Sequence, residues 1–495
     1  MRMELRVHPE DVSRLSRARR AFAPVEARAQ TRRVRLVFHD SPDRALLTAG
    51  LTLIERPGHW RLERLLPGAE PWSPAEPPPV LEEAASLGVL TTALPADLAP
   101  VAWFEAQETV HRVTAEAGNL TLTVWNGVAR ASDGPSRTGE TDASIPLAHL
   151  LIEGPEPAVR ALALHLAATL RVQAPRLSLP AEVLTRVLEI PLRAKRSGAP
   201  VLPDQADVAL TTGAAFRHIM GHLVDVMLDL TPAAMTGSTG TEPVHQMRVA
   251  VRRARSAITV FRAAIDTPEL QQAANHLKTL GARLGPTRDW DVFVTETLPR
   301  VTSALPEERR LLRLGEAAQK TRMGHQMMLA FYLSSADFRL LGIELAWLAA
   351  AEGWLPLPPD PPVSLTDFAA NVLHRRWRKL THAGRSIEAL DIEALHDLRL
   401  RAKRARYTAE VFISLYPGRR SARFIRRISR LQQHLGLLND GEVAAGLLKH
   451  LGGAGGRHAY ATGLVLGFTA ARAANVRPAI LQAWEKFRDA GRFWG

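Results

Sequence analysis

The segment VHQMRVAVRRARSAITVFR, residues 244–262, combines dense positive charge with apolar residues at helical spacing. At about 100° per residue, His245, Arg248, Arg252 and Arg255 fall within about 80° of one another. The apolar residues occupy an adjoining arc that predicts a core face, formed by Met247, Ala250, Val251, Ala254, Ile258 and Phe261. The segment therefore predicts an amphipathic helix whose cationic stripe borders its buried face.

A related segment, LHDLRLRAKRARYTAEVFI at residues 395–413, follows at a constant offset of 151 residues. The offset matches His245 with His396, Arg248 with Arg399, Arg252 with Lys403, Arg253 with Arg404, Arg255 with Arg406 and Phe261 with Phe412. It also matches Leu284-Gly285 with Leu435-Gly436 and Asp289 with Asp440. One offset that holds across two helices predicts a duplicated helical module, with two arms in one domain.

The net charge of +13 is concentrated in the second half of the 495-residue chain. Residues 200–495 contain 39 Lys and Arg against 27 Asp and Glu, whereas residues 1–199 contain 24 against 23. A basic domain of this kind typically binds a polyanion, which could be nucleic acid, anionic lipid or polyphosphate. The alternative is a solvated basic face without a ligand, whose arginines pair with Asp289 and Asp440.

The composition excludes several classes of chemistry. The chain has no cysteine, which rules out disulfides, thiol catalysis and cysteine-bound metals and fits a reducing, cytoplasmic location. The first residues lack the apolar stretch of a signal peptide, and no long apolar run predicts a membrane span. His245 and His396 lack a carboxylate or second histidine at i+4, so we expect no metal there. We expect each histidine either to donate a hydrogen bond to an anion or to orient a neighbouring side chain.

Sequence patterns predict two domains of different fold class. Alternating β-rich segments in the first half predict an α+β domain at residues 1–175, and residues 176–206 are interpreted as a linker because glycine and proline cluster there. Long helical periodicity predicts an all-α domain at residues 207–495. The proline-rich stretch Pro356–Leu365 divides that domain into arms at about 207–355 and 364–495.

Side-by-side arginines repel one another unless an anion neutralises them, so the stripes and nearby basic helices predict an anion-binding groove between the arms. The candidate binding residues are His245, Arg248, Arg252, Arg253, Arg255, Arg375, Arg376, Arg378, Lys379, His396, Arg399, Lys403, Arg404, Arg406, Arg427 and Arg430.

The pattern H-x-x-R-x-x-x-R-R-x-R, repeated with a lysine in its second copy, resembles the CHAD domain, the conserved histidine α-helical domain. LGPTRDWDVF at 284–293 and LGLLNDGEVA at 435–444 fit the same family. The resemblance covers residues from about 207 to the C-terminus. It implies paired helical bundles whose basic inner surface binds inorganic polyphosphate, without a cofactor, and it suggests association with polyphosphate granules.

Residues 1–175 loosely resemble the CYTH domain, a β-barrel tunnel that hydrolyses triphosphates with the help of metal ions. That family opens with Glu-x-Glu-x-Lys, whereas the matching residues here are Arg2, Glu4 and Arg6. Arginine in place of a metal-binding carboxylate inverts the local charge. A later strand keeps Glu153, and Ile54 stands where the family usually has arginine. We therefore expect a degenerate domain with no catalytic or metal site, acting as a scaffold or dimerisation module, which leaves a homodimer open.

Two other functions remain open from the sequence. A triphosphatase or polyphosphatase with a CHAD recruiting domain would need metal-binding carboxylates, and residue 2 is arginine where the resembled family has glutamate. A nonspecific nucleic-acid-binding module would use exposed aromatic side chains for stacking, and the stripes contain none apart from Tyr407. A membrane-surface role is disfavoured because the basic helices are predicted to bury their apolar faces in a bundle.

Overall fold

The computed structural model describes residues 1–22, 29–56, 59–65, 97–132, 144–174, 178–189, 202, 210–237, 240–356 and 363–495. The chain divides into two compact units. The first unit comprises Met1–Arg196 with Ala336–Trp347, and the second comprises Ser197–Ser335 with Leu348–Gly495. The predicted start of the helical domain at residue 207 lies outside the described residues, as does most of the proline-rich stretch between the arms.

The first unit is built on an antiparallel sheet, which in the described residues has eight strands. Their bounds are β1 Arg2–Val7, β2 Gln30–Asp40, β3 Leu51–Arg56, β4 His59–Arg64, β5 Ala99–Ala115, β6 Gly118–Ala131, β7 Ile145–Glu153 and β8 Val172–Gln173. The strands lie in the order β4-β3-β2-β5-β6-β7-β1-β8. The predicted β-rich fold of this half is confirmed, while its closure into a CYTH-like tunnel stays a prediction.

Four helices accompany this sheet in the N-terminal described residues: α1 Val12–Phe22, α2 Ala45–Thr48, α3 Glu156–Thr169 and α4 Leu179–Leu188. Helix α4 lies within the stretch interpreted as a linker. Ser178 caps it by accepting a hydrogen bond from the Ala181 amide, and Leu179 and Leu184 enter the same hydrophobic core as Phe104. The helix is ordered because it buries an apolar face against the sheet.

The rest of the chain is helical, as predicted. The helices are α5 Thr212–Thr236, α6 Glu242–Phe261, α7 Pro268–Val292, α8 Leu298–Ala304, α9 Arg309–Ser334, α10 Ala336–Ala350, α11 Leu365–Ala383, α12 Ile392–Phe412, α13 Arg419–His450, α14 Ala459–Ala474 and α15 Arg477–Arg488. A π-helical turn at Phe293–Thr297 joins α7 to α8. Within the described residues, no helix is both long and apolar enough to cross a membrane.

Helices α6 and α12 pack against each other through the faces that the sequence marked as core. All six predicted core residues of α6 are buried. The rings of Phe261 and Phe412, one from each helix, have centroids 5.7 Å apart, and Phe368 of α11 lies 5.4 Å from Phe261. Phe261 and Phe412 are also the pair matched by the 151-residue offset, so the contact joins equivalent positions of the two repeated segments. The duplication itself stays a prediction.

We predict that Phe261→Ala strongly destabilises the helical unit, because Phe261 is fully buried at the contact between α6 and α12. The expected cost is about 3–5 kcal/mol from lost burial and an unfilled cavity. The measurement is the urea midpoint of the helical circular-dichroism signal in the full chain. The matched control is Phe331→Ala on α9, where the side chain is 79% exposed and little change is expected. Equal losses in the two variants would contradict the packing described here.

Candidate functional site

The packing of α6 on α12 brings the two cationic stripes together. The Glu410 carboxylate of α12 joins the helices, since its Oε2 accepts from Arg253 Nε of α6 at 3.3 Å. Its other oxygen, Oε1, lies 3.0 Å from Arg406 Nε. That second contact is an ion pair outside hydrogen-bond geometry, because Arg406 Nε has no hydrogen-bond partner among the described residues. A single half-buried acid therefore partly compensates two arginines and fixes the register of the helices.

Tyr407 provides a second link between the stripes. The guanidinium carbons of Arg252 and Arg406 lie 5.5 Å and 5.3 Å from the centroid of its ring. Both distances allow favourable cation–π contact. Tyr407 is buried, and burial raises the pKa of its hydroxyl, so the ring serves as a neutral spacer between two cations.

Lys403 lies at the centre of the convergence. Its pKa is lowered to about 8, first by burial and then by the charges of Arg252, Arg399, Arg248 and Arg406. Arg248 and Arg252 come from α6, whereas Arg399, Lys403 and Arg406 come from α12. We call these five residues the cationic cluster. The anion-binding groove predicted from the sequence requires that residues of both stripes come together in this way.

Arg252 is the least compensated member of the cationic cluster. Its Nε is buried and has no hydrogen-bond partner among the described residues. Burial lowers its pKa, followed by the charges of Arg248 and Arg406, although a guanidinium remains charged at any physiological pH. No described carboxylate lies within ion-pair distance of Arg252 or Lys403. Buried donors that carry charge gain most from an acceptor that is itself anionic.

Arg248 is held in place by α7. Its Nη1 donates to Asp289 Oδ1 at 2.6 Å and to the Gly285 carbonyl oxygen at 3.2 Å. This geometry explains why the Leu-Gly…Asp pattern accompanies the stripe. For Arg248, therefore, the alternative prediction holds, because Asp289 neutralises an arginine of the stripe. The Asp440 side chain, expected to play the same part for Arg399, lies outside what the structure describes.

The two histidines occupy different environments. His245 is half-buried, and its pKa is lowered by burial and then by Arg288, Arg252 and Arg248, so it is neutral at pH 7. His396 is exposed. Arg288, which pairs with Glu296 at 3.3 Å, was not among the predicted site residues. The comparison of the two repeated segments could not reveal Arg288, because the 151-residue offset matches it with Asn439, which is not basic.

Several other predicted arginines of α6, α11 and α12 lie outside the cationic cluster. Arg255 is exposed, and its Nη1 lies next to Gly281 of α7, where a Cβ would be in ordinary van der Waals contact with it at 3.8 Å. Arg376 of α11 is half-buried, and its pKa is lowered by burial and then by Arg404 and Arg375. These last three arginines form a separate group between α11 and α12.

Four further predicted residues lie elsewhere in the second unit. Arg427 donates to the Lys486 carbonyl oxygen at 2.5 Å, at the C-terminal end of α15, which is a structural contact. Arg430 lies beside His434 and, after burial, contributes to that histidine's lowered pKa. Arg378 and Lys379 line a cavity of about 650 Å³. Arg488, another cationic residue of this cavity, was not predicted because its helix, α15, lies outside the repeated motif.

In the first unit, Arg2, Glu4 and Arg6 lie on one face of β1, as strand alternation predicts. Their charges are engaged locally. Glu4 accepts from Arg2 Nη2 at 3.1 Å and from the Leu179 amide at 3.2 Å, and Arg6 pairs with Glu182 at 3.3 Å. Across the described residues, no group of three His, Asp or Glu side chains is placed to hold a metal ion.

Comparison with known proteins identifies the class of the helical unit. Residues 218–449 match the model of the CHAD domain family. The second unit is similar to the crystal structure of the CHAD domain from the plant Ricinus communis, with 28% identity and a TM-score of 0.50. That match covers 61% of this chain and 98% of the plant domain. Residues 218–449 are therefore a CHAD domain, as the motif resemblance predicted.

Relatives also occur in Mycobacterium tuberculosis. The uncharacterized proteins MT2285 of strain CDC 1551 and Rv2226 of strain H37Rv are each 30% identical to this chain over 177 residues. The match covers 34% of this chain, and the chain spans about a third of the length of these relatives, 34% in both.

We predict that Lys403→Met stabilises the protein in the absence of ligand, because it removes a buried charge surrounded by like charges. The expected gain at pH 7 is on the order of 1 kcal/mol, measured as a higher urea midpoint. The folded state binds this proton less tightly than the unfolded state. The gain should therefore shrink as pH rises from about 8 towards the ordinary lysine value.

The matched control is Lys379→Met, which removes the same charge from an exposed position on α11 and should change the midpoint little. A lower midpoint for Lys403→Met than for wild type would show that Lys403 is compensated in the folded state.

Proposed function

We propose that the CHAD domain of this protein binds inorganic polyphosphate through the cationic cluster and neither makes nor breaks a bond. The observation that carries the proposal is the convergence of Arg252 and Lys403 from two helices, with no described carboxylate at ion-pair distance from either. A polyanion would neutralise both stripes at once and would relieve the repulsion that lowers the pKa of Lys403. Arginine forks and lysine donors both suit phosphoryl oxygens.

The chemistry of the cationic cluster favours polyphosphate over nucleic acid. Binding of single strands usually adds stacking of bases on exposed aromatic rings. The aromatic residue of the stripes, Tyr407, is buried, and its ring contacts Arg252 and Arg406. The cluster therefore offers positive charge but no exposed ring on which a base could stack. Polyphosphate, which has charged phosphates and no bases, matches this chemistry.

For the first unit, the proposal is a structural role without hydrolysis. Arginine at position 2 places positive charge beside Glu4, where a triphosphatase of the resembled family would have a metal-binding glutamate. We propose that this unit is a degenerate CYTH-like scaffold that requires no cofactor. The rival function is a metal-dependent triphosphatase, and phosphate release from tripolyphosphate with Mg²⁺ or Mn²⁺ would establish it.

A protein with this binding activity would associate with polyphosphate granules in the cytoplasm. We include that location in the proposal because a granule presents many chains at high local density, which favours a binding protein without catalytic turnover. Self-association of the first unit into a homodimer would add avidity on such a surface.

We predict that Arg252→Met with Lys403→Met weakens binding of labelled long-chain polyphosphate by at least tenfold at about 0.2 M salt. Methionine keeps much of the apolar stem and removes the charge. The measurement is fluorescence anisotropy, with duplex DNA as competitor at equal phosphate concentration. The control is Arg419→Ala with Arg420→Ala, which removes two charges from exposed positions at the start of α13.

The expected result is a loss confined to the cluster variant, together with poor displacement by DNA. If both double variants bind equally well and DNA displaces the chain at equal phosphate, the positive charge acts diffusely and nucleic-acid binding becomes the better description.

Polyphosphate binding should take up a proton above pH 8. The pKa of free Lys403 is about 8, and a bound polyanion raises it, so the bound state holds the proton more tightly. Affinity should fall with rising pH above about 8, by at most about tenfold per pH unit. Calorimetry at about pH 9 in two buffers of different ionisation enthalpy measures the uptake.

The control variant for this coupling is Lys403→Arg, which keeps the charge but does not titrate in this range. It should bind polyphosphate without that proton uptake. The same uptake in Lys403→Arg and wild type would assign the proton to another group.

A further inference from the structure

A cavity in the second arm carries positive charge apart from the cationic cluster. It has a volume of about 650 Å³. Its lining residues come from helices α11, α12 and α15 and from the short segment directly after α11. Its basic lining residues are Arg378, Lys379, His382, Arg385, Arg401 and Arg488. We propose that this cavity is a second anion site that holds a compact group of linked phosphates. The inference takes its ligand chemistry from the proposed function but does not depend on the cationic cluster.

The charges of the cavity are poorly compensated. No carboxylate is among its lining residues. Asp397 pairs with Arg401, accepting from its Nε at 2.6 Å, which orients that guanidinium and leaves its terminal nitrogens available. Among the described residues, no acid lies within ion-pair distance of the side chains of Arg378, Arg385 or Arg488. Gathering these cations in a concave space strengthens the field at its centre.

One wall of the cavity is formed by Gly384 and Trp484, which are in close contact. Trp484 is buried, and Gly384 lies so close to it that a Cβ at Gly384 would fall 2.2 Å from an indole carbon. This contact requires glycine and holds the chain after α11 against α15. Long basic side chains anchored around such a wall can close on a small ligand, which a flat surface patch does not allow.

Helix α12 separates this cavity from the cationic cluster. Arg401, which lines the cavity, is two residues from both Arg399 and Lys403, which belong to the cluster. Two residues correspond to about 200° around a helix, so these side chains leave opposite sides of α12. The Arg378 and Lys379 predictions therefore point to a different binding region from Arg248 and Arg252.

The volume of the cavity sets the size of its ligand. Small-molecule sites commonly have volumes of about 300–1,000 Å³, whereas a long polymer needs an open channel. Several phosphate groups in one short ligand fit both the volume and the number of donors. Such a ligand has two sources: a free small molecule with three or more phosphates, or the end of a polyphosphate chain.

The test compares tripolyphosphate with long-chain polyphosphate on the full-length protein by calorimetry. Arg385→Ala with Arg488→Ala removes two exposed cations from the cavity, and Arg419→Ala with Arg420→Ala is the charge-matched control. We expect the cavity variant to lose at least tenfold in affinity for tripolyphosphate. The cluster variant, Arg252→Met with Lys403→Met, should lose less than threefold for tripolyphosphate while losing its affinity for the long chain.

The source follows from competition in wild type. If long-chain polyphosphate displaces tripolyphosphate from the wild-type protein, the end of a chain occupies the cavity, whereas simultaneous binding of both identifies a free small molecule as the ligand. The inference is overturned if tripolyphosphate fails to bind while long chains bind, or if cavity and control variants lose affinity equally. Failure of both ligands to bind overturns the proposed function together with this inference.

Discussion

The contact between α6 and α12 is the constraint on which the helical unit depends. Phe261 and Phe412 meet at 5.7 Å within an aromatic core, and this burial holds together two helices whose other faces repel one another. Glu410 offsets part of that repulsion by contacting Arg253 and Arg406. Hydrophobic packing is thus the force that brings these positive charges together.

Under the proposed function, this arrangement would trade stability for preorganised binding. The lowered pKa of Lys403 and the unpartnered Nε of Arg252 are costs that the free protein bears. A site assembled in advance need not pay for gathering its cations when the ligand binds. Arg248 shows the opposite arrangement, because Asp289 and Gly285 hold its guanidinium in place. The cluster therefore combines a fixed arginine with residues that lack compensation.

The two halves of the CHAD domain share a motif but differ in their surroundings. His245 is half-buried beside Arg288, whereas His396 is exposed and the residue matched to Arg288 is Asn439. The basic cavity lies among helices of the second half. Similar motifs can thus support different local chemistry, since each side chain's charge and access depend on neighbours outside the motif.

The sequence by itself determined the helical class of the second half, the buried face of α6 and the CHAD motif, because helical periodicity and residue spacing are local properties. It also predicted the β-rich first half. Tertiary structure decided which charges meet. Arg252 and Lys403 are about 150 residues apart in the chain and become neighbours through packing, whereas Arg427 turns to a carbonyl of α15. Long-range packing also orders helix α4 within the predicted linker and brings Arg378 and Arg488 to the same cavity. Local sequence patterns do not encode such packing.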